Sequence, residues 1–67
     1  MLTLTVNGKT RTYHNLASLS DLLQQLQFDP ERVAIEYNGT IVTRDRFATT
    51  ALHTGDRVEI VQFVGGG

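Results

Sequence analysis

Two Asn-Gly dipeptides, Asn7-Gly8 and Asn38-Gly39, each sit between runs in which apolar and polar residues alternate. No other feature limits the fold as much. A two-residue hairpin whose twist matches its strands demands positive φ at both turn positions, and Asn-Gly supplies it. Before the first pair, Leu2, Leu4 and Val6 alternate with Thr3 and Thr5, so Lys9 to Tyr13 is expected to return as a second strand. Before the second pair, Val33, Ile35 and Tyr37 alternate with Ala34 and Glu36, and Thr40 to Thr43 reads as a short return strand.

One helix belongs between the hairpins. Leu19, Leu22, Leu23 and Leu26 fall at the spacing of a single helical stripe, with Gln24, Gln25 and Gln27 on the wet side. Ser18 reads as the N-cap and Asp21 favours the first turn. Pro30 is expected to stop this helix, and Asp29 to cap a short extra turn that Pro30 opens. Arg44 to Thr50 reads as a loop with one helical turn, in which Phe47 plugs the edge of the core and Leu52 anchors the far end. His53 to Asp56 is a turn, and Arg57 to Val64 the last strand. Val58, Ile60, Gln62 and Val64 share one face of it; Arg57, Glu59, Val61 and Phe63 share the other. Apolar residues on both faces indicate an interior strand or an exposed docking face. One leucine-striped helix covers one face of one mixed sheet, an α+β plan in two layers. The first and last strands are expected side by side at the centre, with the helix in the crossover joining the halves.

The chain has 67 residues and no cysteine, so neither disulfides nor a thiolate metal cage can stabilise it. A domain this small buries only about 60% of its unfolded surface and rarely spares room for a deep cleft, which argues against a self-contained enzyme. The net charge of −1, with acids and bases interspersed, gives no basic face for nucleic acid and no polybasic segment for a membrane. No apolar run approaches a spanning helix. Met1 leads straight into the first strand, which points to the cytoplasm.

Candidate site residues are few. His14 and His53 have no acidic or cysteine neighbours at ligand spacing and read as surface or turn residues. Asp56 follows Gly55 and reads as a turn residue rather than a catalytic carboxylate. Arg44, Asp45 and Arg46 form a charged loop that is either simply solvated or a partner contact. Val61 and Phe63 either pack under a loop or form an exposed patch. The chain closes on Val64-Gly65-Gly66-Gly67. Such a run is a poor way to end a fold, because glycine loses most backbone entropy on ordering. It suits a thin stalk presenting a free α-carboxylate, with a reach of roughly 13 Å when extended. The plain alternative is a frayed terminus. A phosphate-binding loop is set aside because no helix follows.

The segments Ile35-Glu36-Tyr37-Asn38-Gly39-Thr40-Ile41-Val42 and Gly55-Asp56-Arg57-Val58-Glu59-Ile60-Val61, with the closing Phe63-Val64-Gly65-Gly66-Gly67, resemble the sulfur carrier family of thiamine thiazole biosynthesis, ThiS. The resemblance spans the whole chain. It implies a ubiquitin-like β-grasp domain over residues 1–63 and a flexible tail over 64–67. It also implies that the Gly67 carboxylate is adenylated, converted to a thiocarboxylate and used to donate sulfur to thiazole synthase. Gly65 and Gly66 would thread the partner's active site, and Val61, Phe63 and Val64 are the docking candidates. The chain would then be a co-substrate that binds no cofactor itself. ATP and Mg²⁺ would be held by an adenylating, E1-like partner, and sulfur would come from a persulfide-bearing cysteine desulfurase or rhodanese-type protein. No role attaches to Tyr37. The molybdopterin synthase small subunit, a ubiquitin-like modifier and a non-covalent interaction module remain the alternatives.

Overall fold

The computed structural model describes residues 1–64. Both Asn-Gly pairs form the expected turns: φ is 49° and 81° at Asn7 and Gly8, and 50° and 86° at Asn38 and Gly39. The first joins β1 (Leu2–Val6) to β2 (Lys9–Tyr13), closing on the pair Val6–Lys9. The second joins β3 (Val33–Tyr37) to β4 (Thr40–Val42), closing on Tyr37–Thr40. The last strand, β5 (Arg57–Gln62), lies between the hairpins, parallel to β1 and antiparallel to β3. The sheet order is β2-β1-β5-β3-β4. The central pairing of first and last strands is therefore as expected.

The turn asparagines also stitch the hairpins to β5. Asn7 Oδ1 accepts from the Ile60 amide at 2.7 Å, and its Nδ2 donates to the Ile60 carbonyl at 3.2 Å. The side chain thus extends the β1–β5 ladder after the β1 backbone has turned away. Asn38 Oδ1 accepts from the Arg57 amide at 2.8 Å, and the Asn38 amide donates to the Arg57 carbonyl at 2.8 Å.

Helix α1 (Leu19–Leu26) covers one face of the sheet. Ser18 and Asp21 form a reciprocal capping box: Ser18 Oγ accepts from the Asp21 amide at 3.3 Å, and Asp21 Oδ2 accepts from the Ser18 amide at 3.1 Å. The loop after β4 satisfies two further first-turn donors. Leu19 N–H reaches the Thr50 carbonyl and Ser20 N–H the Phe47 carbonyl. Leu19, Leu22 and Leu23 pack on Leu4, Val6, Val33, Ile35, Val58 and Ile60, while Phe47 and Leu52 close the core from the loop side. Each such side chain contributes about 1.5–3 kcal/mol through burial.

Three boundaries differ from the sequence reading. Pro30 does not stop α1. The helix ends earlier in a Schellman turn, with Gln27 left-handed at φ 65°, its amide on Gln24 O and the Phe28 amide on Leu23 O. Pro30 instead opens a one-turn 3-10 helix over Pro30–Arg32, capped by Asp29, as expected. Strand β4 stops at Val42, because Thr43 already starts the 3-10 turn Arg44–Arg46. Strand β5 stops at Gln62, not Val64. Gln62 pairs with Val33, the first residue of β3, and beyond it the neighbouring chain is the 3-10 turn. The Phe63 amide accordingly bonds to the Arg32 carbonyl at 2.7 Å.

Candidate functional site

The central strand leads the chain to its C-terminal end. Along β5, Val58 and Ile60 turn into the core, while Arg57, Glu59 and Val61 lie on the face that the helix leaves open. On that face β1 and β2 present threonines bonded across the strands, Thr3 to Thr12 at 3.2 Å and Thr5 to Thr10 at 3.0 Å. Its other half is apolar and charged, with Arg57 at the start of β5 and two glutamates beyond it. Val61 lies opposite Ala34, Glu59 opposite Glu36, and Glu36 opposite Ile41. A shallow depression of about 110 Å³ runs among Ala34, Glu36, Ile41, Glu59 and Val61.

Val61 is 62% exposed, Phe63 56% and Val64 96%, so none of the three packs under a loop. The sequence reading missed Ile41, which is 65% exposed beside them. The signal was present: a two-residue turn at Asn38-Gly39 fixes the register that puts Ile41 across from Glu36. The roles expected of Gly65, Gly66 and Gly67 lie outside the described residues.

Asp56 is a turn residue, as read, but it is also the one charged residue among the buried side chains described. Its Oδ2 accepts from the Tyr37 hydroxyl at 2.6 Å and the His53 amide at 2.7 Å, and its Oδ1 accepts from Asn38 Nδ2 at 3.1 Å. Burial pushes its carboxyl up. The Tyr37, His53 and Asn38 donors outweigh that and hold it below the usual carboxylate range. Burial, with the bond to Asp56 behind it, pushes Tyr37 up to about 12. Both oxygens of Asp56 accept from donors of this chain, so the cluster clamps the turn 53–56 to the β3–β4 hairpin, a structural role for this carboxylate.

The remaining candidates stay apart. His14 and His53 are exposed, and His53 Nδ1 lies 3.9 Å from Asp56 Oδ2. Among the described residues no three His, Cys, Asp or Glu side chains come together as a metal site. Arg44, Asp45 and Arg46 form an exposed turn; the Thr43 hydroxyl, 2.6 Å from Asp45 Oδ1, holds that carboxyl below its ordinary range. No helix among the described residues is long and apolar enough to cross a membrane. What the geometry offers is an exposed strand face running toward a glycine-rich end.

Comparison with known proteins agrees with that geometry. The family model described as "ThiS family" matches residues 4–67. The sulfur carrier protein ThiS of Bacillus subtilis is 35% identical over 65 residues, covering 96% of this chain and 98% of that protein. A thiazole synthase of Paramagnetospirillum magneticum is 39% identical over 64 residues, which make up 96% of this chain but 20% of that protein. The chain thus spans about a fifth of the length of the thiazole synthases it matches. The crystal structure of a thiamine biosynthesis protein (ThiS) from Geobacter metallireducens superposes with a TM-score of 0.83 at 38% identity, covering 98% of this chain and all of that one. A mixed five-stranded sheet with one helix, matching that neighbour throughout, is the ubiquitin-like β-grasp expected from the sequence. The chain belongs to the ThiS family.

Proposed function

We propose that this chain carries sulfur for thiamine thiazole formation as a thiocarboxylate on Gly67. The observation that carries the reading is the extent of the family match. It runs from the first strand through residue 67 and so takes in both the fold and the glycine end.

The chemistry follows from the carboxylate. With an ordinary pKa near 3.5 it is ionised at neutral pH and a very poor acyl acceptor. One of its oxygens attacks the α-phosphorus of ATP held by the adenylating partner, and pyrophosphate leaves with its charge screened by Mg²⁺. The resulting acyl adenylate accepts a persulfide sulfur at its carbonyl carbon, and AMP leaves. A thiol then attacks the donor cysteine's own sulfur, forming a disulfide with it, and the acyl-bound sulfur leaves on the chain. The released thiocarboxylate is a strong sulfur nucleophile toward a carbonyl-derived intermediate on thiazole synthase.

This chain's share is to be gripped and to present its end. Glycines at 65 and 66 keep the stalk free of Cβ atoms where a channel must close around it. Val61, Phe63 and Val64, joined by Ile41, offer exposed apolar surface for docking. The long Paramagnetospirillum magneticum relative supports thiazole synthase as the acceptor, because a protein of that name contains a segment like this whole chain.

The test is an intact-mass measurement after incubation with an adenylating partner, ATP and a persulfide donor. The expected product has one oxygen exchanged for sulfur, localised to Gly67 by fragmentation. No mass change with a partner that charges another ThiS protein would overturn the reading. Deleting Gly67 abolishes the exchange and leaves the folded domain unchanged.

A further inference from the structure

The other edge of the sheet carries a second feature that sulfur transfer does not use. β2 is an edge strand, and the register with β1 puts Lys9 opposite Val6 and Arg11 opposite Leu4, on the helix side. Between them and the end of α1 lies a groove of about 230 Å³ lined by Val6, Lys9, Arg11, Tyr13, Leu26 and Phe28. Leu26 and Phe28 are half-buried, packed against the core with one side left uncovered. Lys9 and Arg11 are exposed, no carboxylate lines the groove, and neither cation forms an ion pair among the described residues.

The backbone of β2 adds direction. In a two-residue hairpin the closing pair, here Val6–Lys9, is hydrogen-bonded, and the pattern alternates along the ladder. The amides and carbonyls of Thr10 and Thr12 therefore point away from β1, at the free edge. Charges on the inner face of an edge strand ordinarily discourage unwanted strand pairing. Two unpaired cations above an apolar floor do this selectively: they repel a basic strand, lose hydration without compensation against a neutral one, and attract an acidic one.

We propose that the groove between β2 and the end of α1 docks an extended, acidic segment of a partner protein. The segment adds to the sheet as a strand on β2, pairing with the backbone of Thr10 and Thr12. Its groove-facing side chains alternate with outward ones; carboxylates meet Lys9 and Arg11, and an aliphatic side chain covers Leu26 and Phe28. The site lies at the opposite edge of the sheet from β3–β4, so the open-face patch stays available at the same time.

The experiment is a titration of the full chain, followed by amide chemical shifts, with a short acetylated and amidated peptide. In it, Asp, Val and Ile occupy alternate positions separated by Thr. Shifts are expected at Thr10, Thr12, Leu26 and Phe28. The double reversal Lys9→Glu, Arg11→Glu, at two exposed positions, weakens binding by about tenfold or more, and added salt weakens it in the parent. A matched peptide with Lys for Asp does not bind, and neither does one N-methylated at its edge-facing amides. No shift at millimolar peptide, equal binding by either control peptide, or shifts centred on Ile41 and Val61 would each overturn the proposal.

Discussion

The Tyr37 hydroxyl donates to Asp56 Oδ2 across 2.6 Å, joining the last residue of β3 to the residue just before β5. The same hydroxyl lies 3.0 Å from the Ala51 carbonyl, and the same carboxylate takes the His53 amide and Asn38 Nδ2. One buried anion thus holds the hairpin, the turn and the loop that closes the core.

Removing that anion is expected to cost more than removing its best donor. Asp56→Ala leaves the Asn38 amide group and the His53 amide without their acceptor, turns the Tyr37 hydroxyl onto the Ala51 carbonyl alone, and destabilises by on the order of 3 kcal/mol. Tyr37→Phe removes one hydrogen bond to a charged group and costs about 1.5 kcal/mol. In a domain this small each kcal/mol lowers Tm by roughly 4–8 °C. Thermal unfolding followed by circular dichroism checks both the size and the order.

The two groups also set opposite limits on the pH range. The Asp56 pKa is lower in the folded chain than in the unfolded one, where it is near 3.9. Its contribution is complete above that value. It is lost as pH falls further, because the unfolded chain then takes the proton first. The Tyr37 pKa is raised to about 12 against about 10 unfolded, so its contribution is complete below pH 10 and fades between the two values. Denaturant midpoints across pH are expected to show both limbs. Asp56→Asn flattens the acid limb, and Tyr37→Phe the alkaline one.

Gln27 caps α1 with φ at 65°, a left-handed conformation that costs a side-chain-bearing residue about 1 kcal/mol. Gln27 is exposed, and its backbone, not its side chain, makes the two capping contacts. Gln27→Gly is therefore expected to raise stability by about 0.5–1 kcal/mol, read as a higher urea midpoint with unchanged slope.

This same residue marks what local rules in the sequence cannot convey. The Asn-Gly turns and the leucine stripe are legible because their physics acts over a few residues. A helix end without glycine or proline gives no such sign, so Pro30 draws the boundary too far along the chain. The Asp56 cluster escapes for a different reason. Tyr37 and Asn38 become its neighbours only once β3 has paired with β5, a contact between residues eighteen or nineteen positions apart. Ile41 is half legible: the Asn38-Gly39 turn sets it opposite Glu36, but that Val61 shares its face follows only once β3 has paired with β5. The glycine end is legible as composition alone.

Ile41 and Val61 test the docking half of the functional proposal. Both are largely exposed on the open face, so a carboxylate at either position buries no new charge, and its repulsion by Glu36 and Glu59 costs no more than about 1 kcal/mol of stability. Glu36 and Glu59 already face each other between them without a basic partner among the described ion pairs, so a further acid there also adds to local repulsion of any acidic partner surface. Ile41→Asp and Val61→Asp are each expected to slow adenylation by the partner about tenfold or more, through a raised KM rather than a lowered kcat. Gln24→Glu on the exposed side of α1, the control, leaves that KM within about twofold. Pyrophosphate release at varied concentrations of this chain measures both constants, and an unchanged KM in the two Asp variants would remove this face from the adenylation complex.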